Sequence, residues 1–93
     1  MALIVKKFGG SSVASTEKIL NVAKRVLNEK QPDDQIVMVV SAMGDTTDHL
    51  IELAGGITKN PYQYAREMDM LLTTGEQVSI SLLAMAFRTL GHP

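Results

Sequence analysis

Three short stretches of the chain carry the side chains that could do chemistry. Lys7-Phe8-Gly9-Gly10-Ser11-Ser12 joins a cation, two residues without a Cβ and two hydroxyls. Paired glycines let backbone come close to an anion, successive N–H groups can form an anion-binding concavity, and Lys7 adds a full positive charge. Ser11 and Ser12 can donate to phosphate oxygens or cap a following helix. The same residues also make a plain tight turn with a solvated lysine. They fit neither G-x-G-x-x-G nor G-x-x-x-x-G-K-[ST], which disfavours a dinucleotide-binding unit and a Walker-type NTPase.

The second stretch is Val39-Val40-Ser41-Ala42-Met43-Gly44-Asp45-Thr46-Thr47-Asp48. Ser41 offers a hydroxyl, Gly44 permits close approach, and Asp45 and Asp48 read first as helix-start acids. Thr47 serves equally as a cap or as a hydroxyl donor to a substrate. In the third, Leu71-Leu72-Thr73-Thr74-Gly75-Glu76-Gln77, a single carboxylate follows a glycine among apolar residues. Glu76 is either a partner of a helix amino terminus, the reading favoured locally, or a ligand for a cationic group. Met38, Met43, Met68, Met70 and Met85 read as adaptable core packing. His49 and His92 have no neighbour that suggests a metal or a catalytic pair.

The elements that must position these residues are legible in the hydrophobic pattern. Leu3-Ile4-Val5 opens a strand that stops at Gly9-Gly10, and Ile36 to Val40 is an unbroken apolar run expected to be a strand buried on both faces. Between them Ile19, Leu20, Ala23, Val26 and Leu27 recur at helical spacing from a start near Ser12 to Thr16, with Glu17 early and Lys24, Arg25 and Lys30 late. Pro32-Asp33-Asp34 marks a surface loop. Strand, helix and strand in this order predict a parallel crossover, an α/β class, and both turns on the rim where open sheets bind ligands. Asp48 to Ala54 reads as a short helix ended by Gly55-Gly56, and residues from Tyr64 onward as two helices or one kinked at Gly75. Gly91 reads as the residue just past that helix, with Pro93 blocking its continuation. Two buried-type strands for about four helices fall short of what a doubly covered parallel sheet carries. Residues 1–93 are therefore expected to form the front of a larger domain.

Composition narrows the classes further. Nine Lys plus Arg against ten Asp plus Glu leave a formal charge of −1, too balanced for a nucleic-acid footprint or a polybasic membrane patch. Cysteine is absent, which excludes disulfides, a thiolate nucleophile and Cys-ligated metal, and fits a reducing cytoplasm. Met1 to Val5 is too short for a signal-peptide core, and no window is expected to approach a membrane span. At 45% apolar residues the chain can build one modest core.

Taken in order, Lys7 to Ala14, Val39 to Asp48 and Arg66-Glu67-Met68-Asp69-Met70-Leu71-Leu72-Thr73-Thr74-Gly75-Glu76 resemble the amino-terminal part of an aspartokinase over nearly the whole chain. The resemblance implies the amino-terminal part of an open, mostly parallel αβα sandwich of the amino acid kinase type, without a regulatory domain. It implies transfer of the ATP γ-phosphoryl group to the side-chain carboxylate of L-aspartate, giving 4-phospho-L-aspartate for lysine, threonine and methionine biosynthesis. Carried over residue by residue, Lys7, Phe8, Gly9, Gly10 and Ser11 would contact the ATP phosphates, with Lys7 stabilising charge on the moving group. Ser41 matches a position near aspartate and phosphate, and Thr47 and Glu76 match aspartate-binding positions. Mg2+ is expected only as the ATP complex, and the full-length enzyme as a homo-oligomer. The adenine site and a second phosphoryl-centre lysine are implied beyond residue 93, so residues 1–93 alone are expected to be inactive. The alternative is a non-catalytic anion-binding or complementation module derived from the same fold.

Overall fold

A computed structural model describes residues 2–91 of the chain. Strand β1 (Leu3–Phe8) leads through a 3-10 turn (Gly10–Val13) into helix α1 (Thr16–Glu29), which returns the chain to strand β2 (Gln35–Val40). Helix α2 (Thr46–Ile57), a second 3-10 turn (Pro61–Gln63) and helix α3 (Ala65–Thr89) follow. The two strands pair in parallel, with Leu3 opposite Gln35 and Phe8 opposite Val40. The expected crossover unit is therefore present. Readings that fall on His92 and Pro93 lie outside the described residues.

Alternation along the strands divides the sheet into two unlike faces. Ile36, Met38, Val40 and Phe8 turn toward α1 and α3 and join a core of Val13, Ile19, Val22, Ala23, Val26, Leu83 and Ala86. On the other face Leu3 and Val5 remain 67% and 64% exposed, and Val37 and Val39 47% and 45%. β2 was expected to be buried on both faces. Among the described residues only one face is covered, because α1 and α3 both pack on the same side.

Helix boundaries differ from expectation in instructive places. α1 starts at Thr16, inside the expected range; its cap is Ser15, whose Oγ accepts from the Lys18 N–H at 3.2 Å, and Ser11 and Ser12 stay in the preceding turn. α2 runs through Gly55-Gly56 to Ile57, and the Thr58 N–H closes it on the Ala54 carbonyl. α3 is one unbroken helix through Gly75. A glycine inside a helix costs only about 1 kcal/mol relative to alanine, which packing readily offsets. Gly91, at φ +89°, follows the end of α3 as expected.

α3 also corrects the expectation about membranes, since by length and composition it could cross one. Leu83 and Ala86 on its buried stripe belong to the core instead, and Glu76 lies near its midpoint. An acidic side chain in the middle of a bilayer costs on the order of 3 kcal/mol.

Candidate active site

The carboxyl ends of β1 and β2 open on one rim, and backbone hydrogen bonds weld the two turns there. The Ser41 N–H donates to the Phe8 carbonyl at 3.2 Å, which extends the ladder one residue past β2. The Gly44 N–H donates to the Gly10 carbonyl at 2.9 Å. Gly10 permits this approach: a Cβ on it would lie 2.9 Å from the Ala42 carbonyl oxygen and 3.1 Å from that of Gly44. Gly44 itself holds φ +50°, a left-handed conformation that side chains with a Cβ rarely adopt.

The first loop is held from below as well. Val13 is 1% exposed and anchors the turn in the core, while the Lys18 ammonium donates to the Ser11 carbonyl at 3.2 Å. Gly9 is extended (φ −78°, ψ 174°) and open to solvent, so its backbone is free for close approach of a ligand. Lys7 sits opposite Val39 on the uncovered face of the sheet, is exposed, and makes no hydrogen bond or ion pair among the described residues.

The third stretch reaches the same rim through α3. A Cβ on buried Gly75 would lie 2.9 Å from the Ala42 Cβ, 3.3 Å from the Thr46 Cγ2 and 3.5 Å from Leu50 Cδ1. Thr47 and Glu76 therefore each lie one residue from a direct contact between α2 and α3, and both are exposed. Glu76 near the middle of α3 has no helix end to serve, so the amino-terminal dipole reading fails. Its carboxylate has no cation partner among the described residues. Asp45 occupies the cap position of α2 without a side-chain cap bond, whereas Asp48 lies in the first turn as expected.

The structure thus joins Lys7 to Ser11 with Ser41 to Gly44 by hydrogen bonds, and places Thr47 and Glu76 on two helices that meet at Gly75. Sequence reasoning missed two supporting residues. Lys18 gave no local signal, and Gly75 gave one: a glycine inside an apolar helical pattern usually has a packing reason. Two apolar hollows lie away from the rim, one lined by Val26, Leu27, Ile36, Met38 and Phe87, the other by Ala54, Ile57, Tyr64, Met68 and Leu71. Neither includes Lys7, Ser41, Thr47 or Glu76. Among the described residues no group of three His, Cys, Asp or Glu could hold a metal ion.

Backbone N–H groups and a lysine suit phosphate oxygens, and a hydroxyl or a carboxylate suits a small zwitterion.

The model of the amino acid kinase family matches residues 2–93. The aspartokinase of Bacillus sp. (strain MGA3) is 62% identical over 92 residues, covering 99% of this chain and 22% of that protein. Aspartokinase 2 of Bacillus subtilis is 59% identical over 92 residues, with the same coverage of 99% and 22%. The aspartokinase of Corynebacterium glutamicum is 56% identical over 91 residues, covering 98% and 21%. The crystal structure of aspartate kinase from Synechocystis superposes with a TM-score of 0.90 at 53% identity, over 98% of this chain and 15% of that one. The chain spans about a fifth of the length of the curated relatives it matches.

Proposed function

We propose, from the premise that this chain belongs to the amino acid kinase family, that it is the amino-terminal part of an aspartate kinase. The enzyme transfers the γ-phosphoryl group of ATP to the side-chain carboxylate of L-aspartate. A carboxylate oxygen forms a bond to the γ-phosphorus, the bond to the β-phosphate oxygen breaks, and the products are 4-phospho-L-aspartate and ADP. One observation carries this reading: a single turn, Ser41 to Gly44, is hydrogen-bonded to the glycine loop on one side and packed against Gly75 of α3 on the other. A phosphate subsite and an amino-acid subsite would then share one wall.

Within this reading each residue has a role matched to its chemistry. The backbone of Phe8 to Ser11 binds and orients the phosphates, and Gly9 lets them approach closely. Lys7, exposed and without a partner among the described residues, offsets charge that grows on the phosphoryl group in transfer. Glu76 pairs with the substrate ammonium, Thr47 donates to a substrate carboxylate, and Ser41 lies between the two ends. Mg2+ enters with ATP and neutralises charge on the phosphates that the glycine loop receives. The similarity to aspartokinases of 53–62% identity supports aspartate over other acceptors. A homo-oligomeric, cytoplasmic enzyme fits the same likeness.

The test is isotope-traced phosphoryl transfer from γ-labelled ATP by the complete enzyme, with L-aspartate and L-glutamate as competing acceptors. Label on aspartate as an acyl phosphate is the expected result. Transfer only to glutamate, or to water, would overturn the reading.

A further inference from the structure

We propose that Gly75 is a positioning residue for the aspartate side of the site, acting through Ala42. The inference rests on the aspartate kinase reading above. Residue 42 is gripped from two directions. Its side chain, in a residue only 3% exposed, meets the place where a Gly75 Cβ would be at 2.9 Å, and its carbonyl oxygen meets the corresponding place at Gly10 at 2.9 Å. Real Cβ atoms essentially never approach other heavy atoms under 3.0 Å, so any side chain at position 75 forces α3 and the turn apart. The turn cannot retreat freely, because Gly10 and its hydrogen bond with Gly44 stand behind it.

What moves is therefore the spacing between α3 and the start of α2. Thr46, whose Cγ2 would lie 3.3 Å from the added carbon, immediately precedes Thr47, and Gly75 immediately precedes Glu76. The two groups assigned to the aspartate carboxylate and ammonium are carried by the two helices that meet at this contact. The glycine loop is tied independently, by the Lys18 ammonium on the Ser11 carbonyl and by buried Val13. Widening the contact thus loosens the amino-acid subsite and leaves the phosphate loop in place. It also explains why a helix otherwise rich in apolar residues carries a glycine at its centre.

The experiment compares the complete enzyme with its Gly75→Ala variant and with the Gly75→Ala, Ala42→Gly double variant. Misplacement of substrate by around an ångström typically costs on the order of 10²-fold in rate, so kcat/KM for aspartate should fall by about that factor in Gly75→Ala. The aspartate KM should rise, and the ATP KM should stay where it was. The double variant removes the carbon met at 2.9 Å and should recover most of the loss. A glycine that served stability alone would lower the melting temperature and the active fraction without moving the aspartate KM. An unchanged aspartate KM in Gly75→Ala overturns the inference while the kinase reading stands. If Gly75→Ala does not fold, the double variant decides: a folded enzyme with near-normal aspartate KM supports the inference. A double variant that fails to fold, or keeps a raised KM, overturns it. Absence of transfer to aspartate by the unmodified enzyme overturns the kinase reading and the inference together.

Discussion

Lys6 and Lys7 are neighbours in sequence, yet strand alternation sends them to opposite faces of the sheet and to opposite fates. On the covered face, the Lys6 ammonium lies 2.6 Å from the Glu29 carboxylate at the end of α1. Glu29 also accepts from Arg25 Nε at 3.4 Å, and the Arg25 guanidinium lies 5.9 Å from the centre of the Phe8 ring. Every charge in that cluster has a partner, so the cluster bridges β1 and α1 at the surface. On the other face Lys7 stands at the rim beside Gly9 with no partner among the described residues. A cation left free next to a backbone opened by glycines is available to a ligand. Residue type alone does not separate frame from chemistry; the face and the neighbours do.

The largest effect is expected from the uncovered face as a whole. Leu3, Val5, Val37 and Val39 form an exposed apolar stripe on a two-stranded sheet, and such stripes and edges associate. Residues 1–93 produced alone should therefore self-associate in analytical ultracentrifugation and show no aspartate kinase activity. Val5→Lys with Val37→Lys should shift them toward monomer. A sharply melting monomer of the unaltered segment would break the contrast between the faces.

Next in size is the contrast between the two lysines. In the complete enzyme Lys7→Ala should lower kcat by about 10²- to 10³-fold, the usual loss for one donor aimed at developing charge. Lys6→Ala should leave kcat nearly unchanged and lower the melting temperature slightly. Equal losses of turnover from both would show that the faces do not divide the roles.

The smallest effect belongs to Glu29. The hydrogen bond from Lys6, the charge of Lys6 and then the bond from Arg25 hold its carboxyl below the usual carboxylate value. A depressed folded-state value means that the stabilisation is present above the unfolded value and is lost as pH falls through the folded one. Glu29→Gln should therefore melt slightly below the parent at pH 7, and thermal scans in acid should show the gap closing. High salt should narrow it too, because the pair is exposed.

Much of this was readable in the sequence, and what was not has a common cause. Local periodicity predicted both strands, their parallel order, α1 and the two rim turns. It could not reveal that α3 continues through Gly75, because the packing of Gly75 against Ala42 joins residues 33 positions apart. The same holds for α2 and its pair Gly55-Gly56, which looked like a stop but are simply exposed helical glycines. Ser15 rather than Ser11 or Ser12 caps α1, because a 3-10 turn intervenes to bury Val13. β2 looked doubly buried because its composition suits two covered faces, whereas α1 and α3 cover one. Among the site residues, Lys7 to Ser11 and Ser41 were recognisable as rim turns, while the meeting of the helices that carry Thr47 and Glu76 needed the fold.

The central claim is that the rim holds phosphate at one end and the amino acid at the other, and calorimetric titration of the Glu76→Gln enzyme tests it most directly. The substitution removes charge and keeps shape, so a carboxylate facing an ammonium should lose a charge-assisted hydrogen bond of about 1.5–3 kcal/mol, or roughly ten- to hundred-fold in affinity. Aspartate should bind that much more weakly, with ATP affinity unchanged. Unchanged aspartate affinity together with a lower melting temperature would contradict the claim and return Glu76 to a purely structural place on α3.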